Sequence, residues 1–218
     1  MNRPSPAVVV GLALALGSPA LLAVTDDLIP GGHGAAANLT AQLVMWVLLG
    51  AVVVIVLRFE RQPISSLGVR TVSSRSLIWG LIAAAALMYG VIPIAMALLS
   101  FTGLPAFEEG LSRVLALPLW LRIGAVATGG VVEEVLYRGY AITRLEALTG
   151  SRVFAAAVSV LIFALAHWPL WGPGPVVTFF VSGAFLAAWF LWRRDLLANI
   201  VAHIVVDSFG LVFAPPSS

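Results

Sequence analysis

The sequence predicts an all-α membrane protein, a polytopic helical bundle of about seven transmembrane helices. Three observations carry that expectation. Of its 218 residues, 61% are hydrophobic and only 10% charged, and the mean hydropathy is +1.04. A soluble domain with so little charge could hardly cover its surface. The apolar residues also gather in runs of roughly 17–25, the length a helix needs to cross the hydrocarbon core.

Those runs occupy residues 6–24, 38–57, 77–100, 116–137, 153–168, 176–192 and 196–214, the fourth continuing as a more polar helix to about residue 148. The first run follows Arg3 and has the layout of a signal peptide. No clean small-x-small cleavage site precedes Asp26 and Asp27, however, and Pro19 sits within it, so it is expected to stay as a transmembrane helix. The Pro-Gly-Gly-His-Gly segment at 30–34 reads as a loop with a solvated His33. No repeat, low-complexity tract or linker divides the chain, so residues 1–218 are expected to form one membrane domain.

Charge reports orientation. The net charge is +2, and all 12 cationic residues are arginines dispersed between apolar runs, which excludes a concentrated nucleic-acid-binding surface. Four arginines and Glu60 fill residues 58–75, Arg138, Arg144 and Arg152 form a second group, and Arg193–Arg194 a third; Asp26–Asp27 and Glu108–Glu109 fall in the alternate gaps. An inside amino terminus puts all three arginine groups on the cytoplasmic side. Cysteine is absent, which excludes disulfides, thiolate metal sites and a thiol nucleophile.

Against this apolar background the stretch from Gly130 to Tyr140 carries Glu133, Glu134 and Arg138. Charge at bilayer depth costs about 2.5–3.5 kcal/mol per group on the most lenient scale, so function is the first hypothesis. Glu134 and Arg138 stand at i,i+4 with the acid first, the favoured order for a helical ion pair. Glu133 is then left as the free carboxylate, with Tyr137 one turn away. If the chain folds into a hairpin about Gly150, residues whose numbers sum to 300 face each other, which sets Glu133 level with His167. Phe163 lies one turn before that histidine. On the last run Asn199, His203 and Asp207 form a polar stripe at i,i+4,i+8, with Asp207 in reach of the His203 ring. Glu133, His167, His203 and Asp207 are thus expected to converge inside the bundle.

Separately, each feature has a structural reading: an ion pair that glues helices, an interfacial histidine, a packing hydrogen bond. Together, on three helices of a nearly uncharged chain, they point to a site. A carboxylate beside an imidazole can hold and deprotonate one water, and a second histidine with a polar neighbour can steady an oxyanion, which suits amide hydrolysis. No cofactor is required by the sequence. The same four residues are also a conceivable ligand set for a divalent metal such as zinc, although the His-Glu-x-x-His signature is absent.

The three ordered motifs, Glu133-Glu134 with Arg138-Gly139, Phe163 with His167, and His203 with Asp207, resemble those of the CPBP family. These are the CAAX-prenyl-protein and bacteriocin-processing intramembrane endopeptidases, also called the ABI family. Ser66-Leu-Gly-Val-Arg70 is similar to a segment found upstream in such proteins. The resemblance implies a catalytic core over about residues 116–214. It also implies a glutamic-type or metallo-endopeptidase of a bacterial inner (plasma) membrane, with a membrane-associated peptide or protein as substrate. It gives Glu133 and His167 the water, His203 and Asp207 the oxyanion, and Glu134, Arg138, Phe163 and Asn199 supporting roles. The prenyl-protease branch carries Asn where this chain has Asp207, so prenylated substrates do not follow. Two other functions fit part of the pattern: a non-proteolytic immunity or scaffold protein, and a small transporter or proton relay. The hairpin spacing sets Glu133 about 25 Å from the turn, at mid-membrane or beyond, whereas the prenyl-protease resemblance implies a cytoplasmic opening.

Overall fold

The computed structural model describes residues 5–28 and 34–213; His33 and Arg3 lie outside them. Eight longer helices and one short 3-10 turn (Ile64–Leu67) are present among the described residues, with no strand. The eight are α1 (Pro6–Leu28), α2 (Ala35–Phe59), α3 (Ser74–Ser100), α4 (Glu108–Leu115), α5 (Leu119–Thr149), α6 (Arg152–Trp171), α7 (Pro175–Arg193) and α8 (Leu196–Val212).

Six of the seven apolar runs become α2, α3, α5, α6, α7 and α8, and the first becomes α1. Of the seven membrane spans expected, four or five meet the length and hydropathy of a span among the described residues. Four helices, α2, α3, α6 and α7, are individually long and apolar enough to cross, and a fifth span arises if α4 and α5 count as one bent unit. Within the length tested, α1 and α8 are short apolar helices. Helix α4 is new. Its eight residues include Glu108, Glu109 and Arg113, too short and too polar for a span. Pro118 begins the next helix, and the chain turns by 118° there.

Helix α5 is the centre. It packs against α1, α2, α6 and α8, and every residue from Glu134 to Ile142 is buried. From Thr128 to Ile142 its backbone is π-helical, a run of 15 residues of a hydrogen-bonding pattern that elsewhere is mostly confined to a single turn and is frequent at functional sites. Close approach by α8 explains Gly130: a Cβ there would meet Ile204 Cγ1 at 2.3 Å. The α5–α6 hairpin turns at Gly150, whose φ of +72° favours a residue without Cβ. Ser151 then caps α6 by accepting the Phe154 N–H at 3.2 Å.

The hairpin register agrees with the expected pairing. Tyr137 and Phe163, whose numbers sum to 300, stack edge-on with centroids 5.4 Å apart, and Ser159 Oγ donates to the Tyr137 carbonyl at 2.8 Å. The three arginine groups also meet at one end. Glu60 takes Arg144 at 2.8 Å and the Tyr140 hydroxyl at 2.5 Å, while Glu146 takes Arg194 at 2.6 Å and Arg152 at 3.1 Å. Asp195 caps α8 through the Ala198 N–H at 3.3 Å and accepts Ser76 Oγ of α3 at 2.7 Å. That cap fixes where α8 begins, and so which of its residues face α5.

Candidate active site

Glu133 and Glu134 leave α5 in different directions and have different fates. Glu134 is fully buried. Its Oε1 accepts Arg138 at 3.0 Å and faces His203 Nδ1 at 2.9 Å, and its Oε2 accepts Asn199 Nδ2 at 3.2 Å. Arg138 is buried as well, donates to the Gly183 carbonyl at 3.3 Å, and lies 4.1 Å over the Phe163 ring. The expected i,i+4 pair is therefore one edge of a larger network that ties α5 to α6, α7 and α8. The network leaves Glu134 no accessible face for chemistry.

Glu133 has no hydrogen-bond or ion-pair partner among the described residues. It lines two cavities. The larger, about 620 Å³, is also lined by His167, His203, Asp207 and Ser182 among mostly apolar neighbours; the smaller, about 240 Å³, lies against α1 and α2 with Ser18, Asn38, Tyr137 and His167 in its wall. All four residues expected to converge thus border one cavity.

His167 ends the regular part of α6. Its Nδ1 is 2.7 Å from the Phe163 carbonyl, which can only accept, so Nδ1 carries the hydrogen and Nε2 is left with a free lone pair. Phe179 stacks on the ring at 3.9 Å and Phe163 tilts against it at 4.7 Å, fixing its plane. His203 is held at both nitrogens, Nδ1 by Glu134 and Nε2 by Asp207 Oδ2 at 3.4 Å. The sequence pointed to Asp207 alone as the holder of this ring; the shorter contact is to Glu134. Gly129, one turn before Glu133, faces the same pair, since a Cβ there would sit 3.2 Å from Asp207 Oδ2 and 3.7 Å from His203 Nε2. Tyr137 does line the smaller cavity beside Glu133, with its hydroxyl 3.1 Å from Ser18 Oγ.

Several contributors were invisible in the sequence. Phe179 is one phenylalanine in an apolar run, and Leu111 and Val114 of α4 with Phe107 at its N-cap, which wall the larger cavity, belong to a segment that no hydrophobic run announces. Among the described residues, no three His, Asp or Glu side chains are grouped so as to hold a metal ion together.

Residues 115–209 match the family model described as Type II CAAX prenyl endopeptidase Rce1-like. In this segment the chain is similar to the CPBP/CAAX protease family. The match spans α5 through most of α8, the helices that carry Glu133, His167, His203 and Asp207. Members of this CAAX protease family are membrane-embedded hydrolases, which accords with the apolar helices here. No curated protein and no solved structure matches the chain.

Proposed function

We propose that this protein is an intramembrane endopeptidase that hydrolyses a peptide bond of a membrane-associated protein or peptide with a water held by Glu133 and His167. The observation that supports this reading is the contrast between the two glutamates. Glu134 is engaged at both oxygens by Arg138, His203 and Asn199, whereas Glu133 borders a cavity of about 620 Å³ with no hydrogen-bond or ion-pair partner among the described residues.

The Glu133 carboxylate and the His167 Nε2 lone pair are both acceptors. One water between them donates both hydrogens and turns its lone pairs toward a substrate carbonyl. As the water oxygen bonds to the carbonyl carbon, Glu133 takes a proton. The carbonyl π electrons move to oxygen, and an Nε2–H of His203 shared with Asp207 would receive that charge. Collapse breaks the C–N bond, and the proton on Glu133 passes to the leaving nitrogen. Glu134, Arg138 and Asn199 hold the His203 ring in place, while Phe163 and Phe179 hold that of His167.

We assign no metal to this mechanism; among the described residues the polar side chains are not grouped as a ligand set. Exhaustive chelation is expected to leave the rate unchanged. Loss of activity on chelation, restored by zinc, would assign a metal to these residues instead. Sidedness follows from charge: the cavity is lined by the ends of α3, α6 and α8 remote from the arginine-rich connections, which favours approach from the non-cytoplasmic half. The test is cleavage of membrane-associated peptides in liposomes, with new amino termini read by mass spectrometry for wild type and Glu133→Gln. Cleavage that persists in Glu133→Gln overturns the mechanism.

A further inference from the structure

A second polar feature lies at the arginine-rich end, on the seam of α3 and α7 and away from the cavity. Trp79, Trp189 and Trp192 form a closed triangle, with ring centroids 5.8, 5.6 and 5.3 Å apart. The Arg193 guanidinium lies 4.2 Å over Trp79 and 5.2 Å over Trp192. Other cations fixed at this end have a carboxylate: Arg144 takes Glu60, and Arg152 and Arg194 take Glu146. Arg193 makes no hydrogen bond or ion pair with any described residue, and Asp195, the next acid along the chain, is engaged by Ser76 and the Ala198 N–H. Its Nε is buried without a partner, so the outer Nη groups are the ones a ligand meets.

Indole faces attract and orient a guanidinium but accept no hydrogen bonds in its plane. The planar donor fork therefore stays open, held by rings that belong at a headgroup-level aromatic belt. Ile78 and Ile82, an i,i+4 pair on the same helix as Trp79, are exposed apolar side chains, and Trp192 is 63% exposed. A charged clamp beside an acyl-chain track fits one ligand class. We propose that Arg193, clamped by Trp79 and Trp192, binds the phosphate of an anionic phospholipid in the arginine-rich leaflet. A zwitterionic headgroup fits less well, because its ammonium would find arginines and no free carboxylate there. The site adjoins the α7–α8 turn, so a bound headgroup would steady the helix that carries His203 and Asp207.

The experiment uses the full chain in detergent micelles titrated with dibrominated phosphatidylglycerol or dibrominated phosphatidylcholine, reading tryptophan fluorescence quenching. The wild type is expected to reach half-maximal quenching at about fivefold less phosphatidylglycerol, the preference one arginine near an anionic surface supplies. Arg193→Gln should bring the two lipids to the same midpoint, with quenching by phosphatidylcholine unchanged. Arg193→Lys, which keeps the charge and loses the ring-stacked plane, should fall between them and serves if Arg193→Gln does not purify as a single species. An undiminished phosphatidylglycerol preference in both variants overturns the proposal. Inorganic phosphate that abolishes the preference at equal concentration would show a free-anion site and overturn the lipid assignment.

Discussion

The arginine-rich end of α5 and its middle share one way of handling charge, with a single exception. At the arginine-rich end each glutamate is consumed: Glu60 by Arg144 and Tyr140, Glu146 by Arg152 and Arg194. Two turns or so deeper, Glu134 is consumed in the same manner by Arg138, His203 and Asn199. Glu133, its immediate neighbour, is not; it meets a cavity. A carboxylate with both oxygens engaged holds helices together, and one with neither engaged is free to take a proton. Glu134 is fully buried and Glu133 only half-buried, so partner set and access to the cavity separate the two cases together.

That contrast can be broken at several points, with effects of decreasing size. Glu134→Gln removes the charge that balances Arg138 in a fully buried pair, and is expected to cost about 3–5 kcal/mol of stability, seen as a fall in folded yield and in the midpoint of denaturant unfolding. Tyr140→Phe at the other end removes a hydrogen bond to a carboxylate and should cost about 1.5–3 kcal/mol. Cleavage per folded molecule should stay at the wild-type level, and a matching fall in that rate would mean that the ends are not separable. Phe179→Leu loses the ring stacked on His167, worth about 0.5–1.5 kcal/mol. It should lower kcat by up to about tenfold while leaving the unfolding midpoint nearly in place. Arg152→Gln removes an ion pair whose arginine is mostly exposed and should change stability by at most about 1 kcal/mol. A large loss there would show that this end is more buried in the bilayer than its exposure indicates.

Much of this organisation was legible in the residues. Apolar run length gave most helices to within a few positions, because lipid forces the backbone to pair within each segment. The hairpin register followed from one turn, Gly150, and is visible in the Tyr137–Phe163 contact. Helix α4 was not legible, since an eight-residue segment with Glu108, Glu109 and Arg113 has no membrane-length signal. Nor was the second partner of His203. Periodicity gives the stripe on α8 but not the side of Glu134 it will meet, which depends on close approach at Gly130 and on π-helical widening of α5. The Glu60–Arg144 bond joins residues far apart in sequence, and no local pattern foretells it.

The most direct test of the division between the adjacent carboxylates compares Glu133→Gln with Glu134→Gln in liposomes, scoring cleavage against the amount of folded protein. The account predicts that Glu133→Gln folds like wild type and loses cleavage by about 10²–10⁴-fold, the share a positioned general base supplies, while Glu134→Gln loses folded protein first. Cleavage at the wild-type rate by folded Glu133→Gln would contradict it.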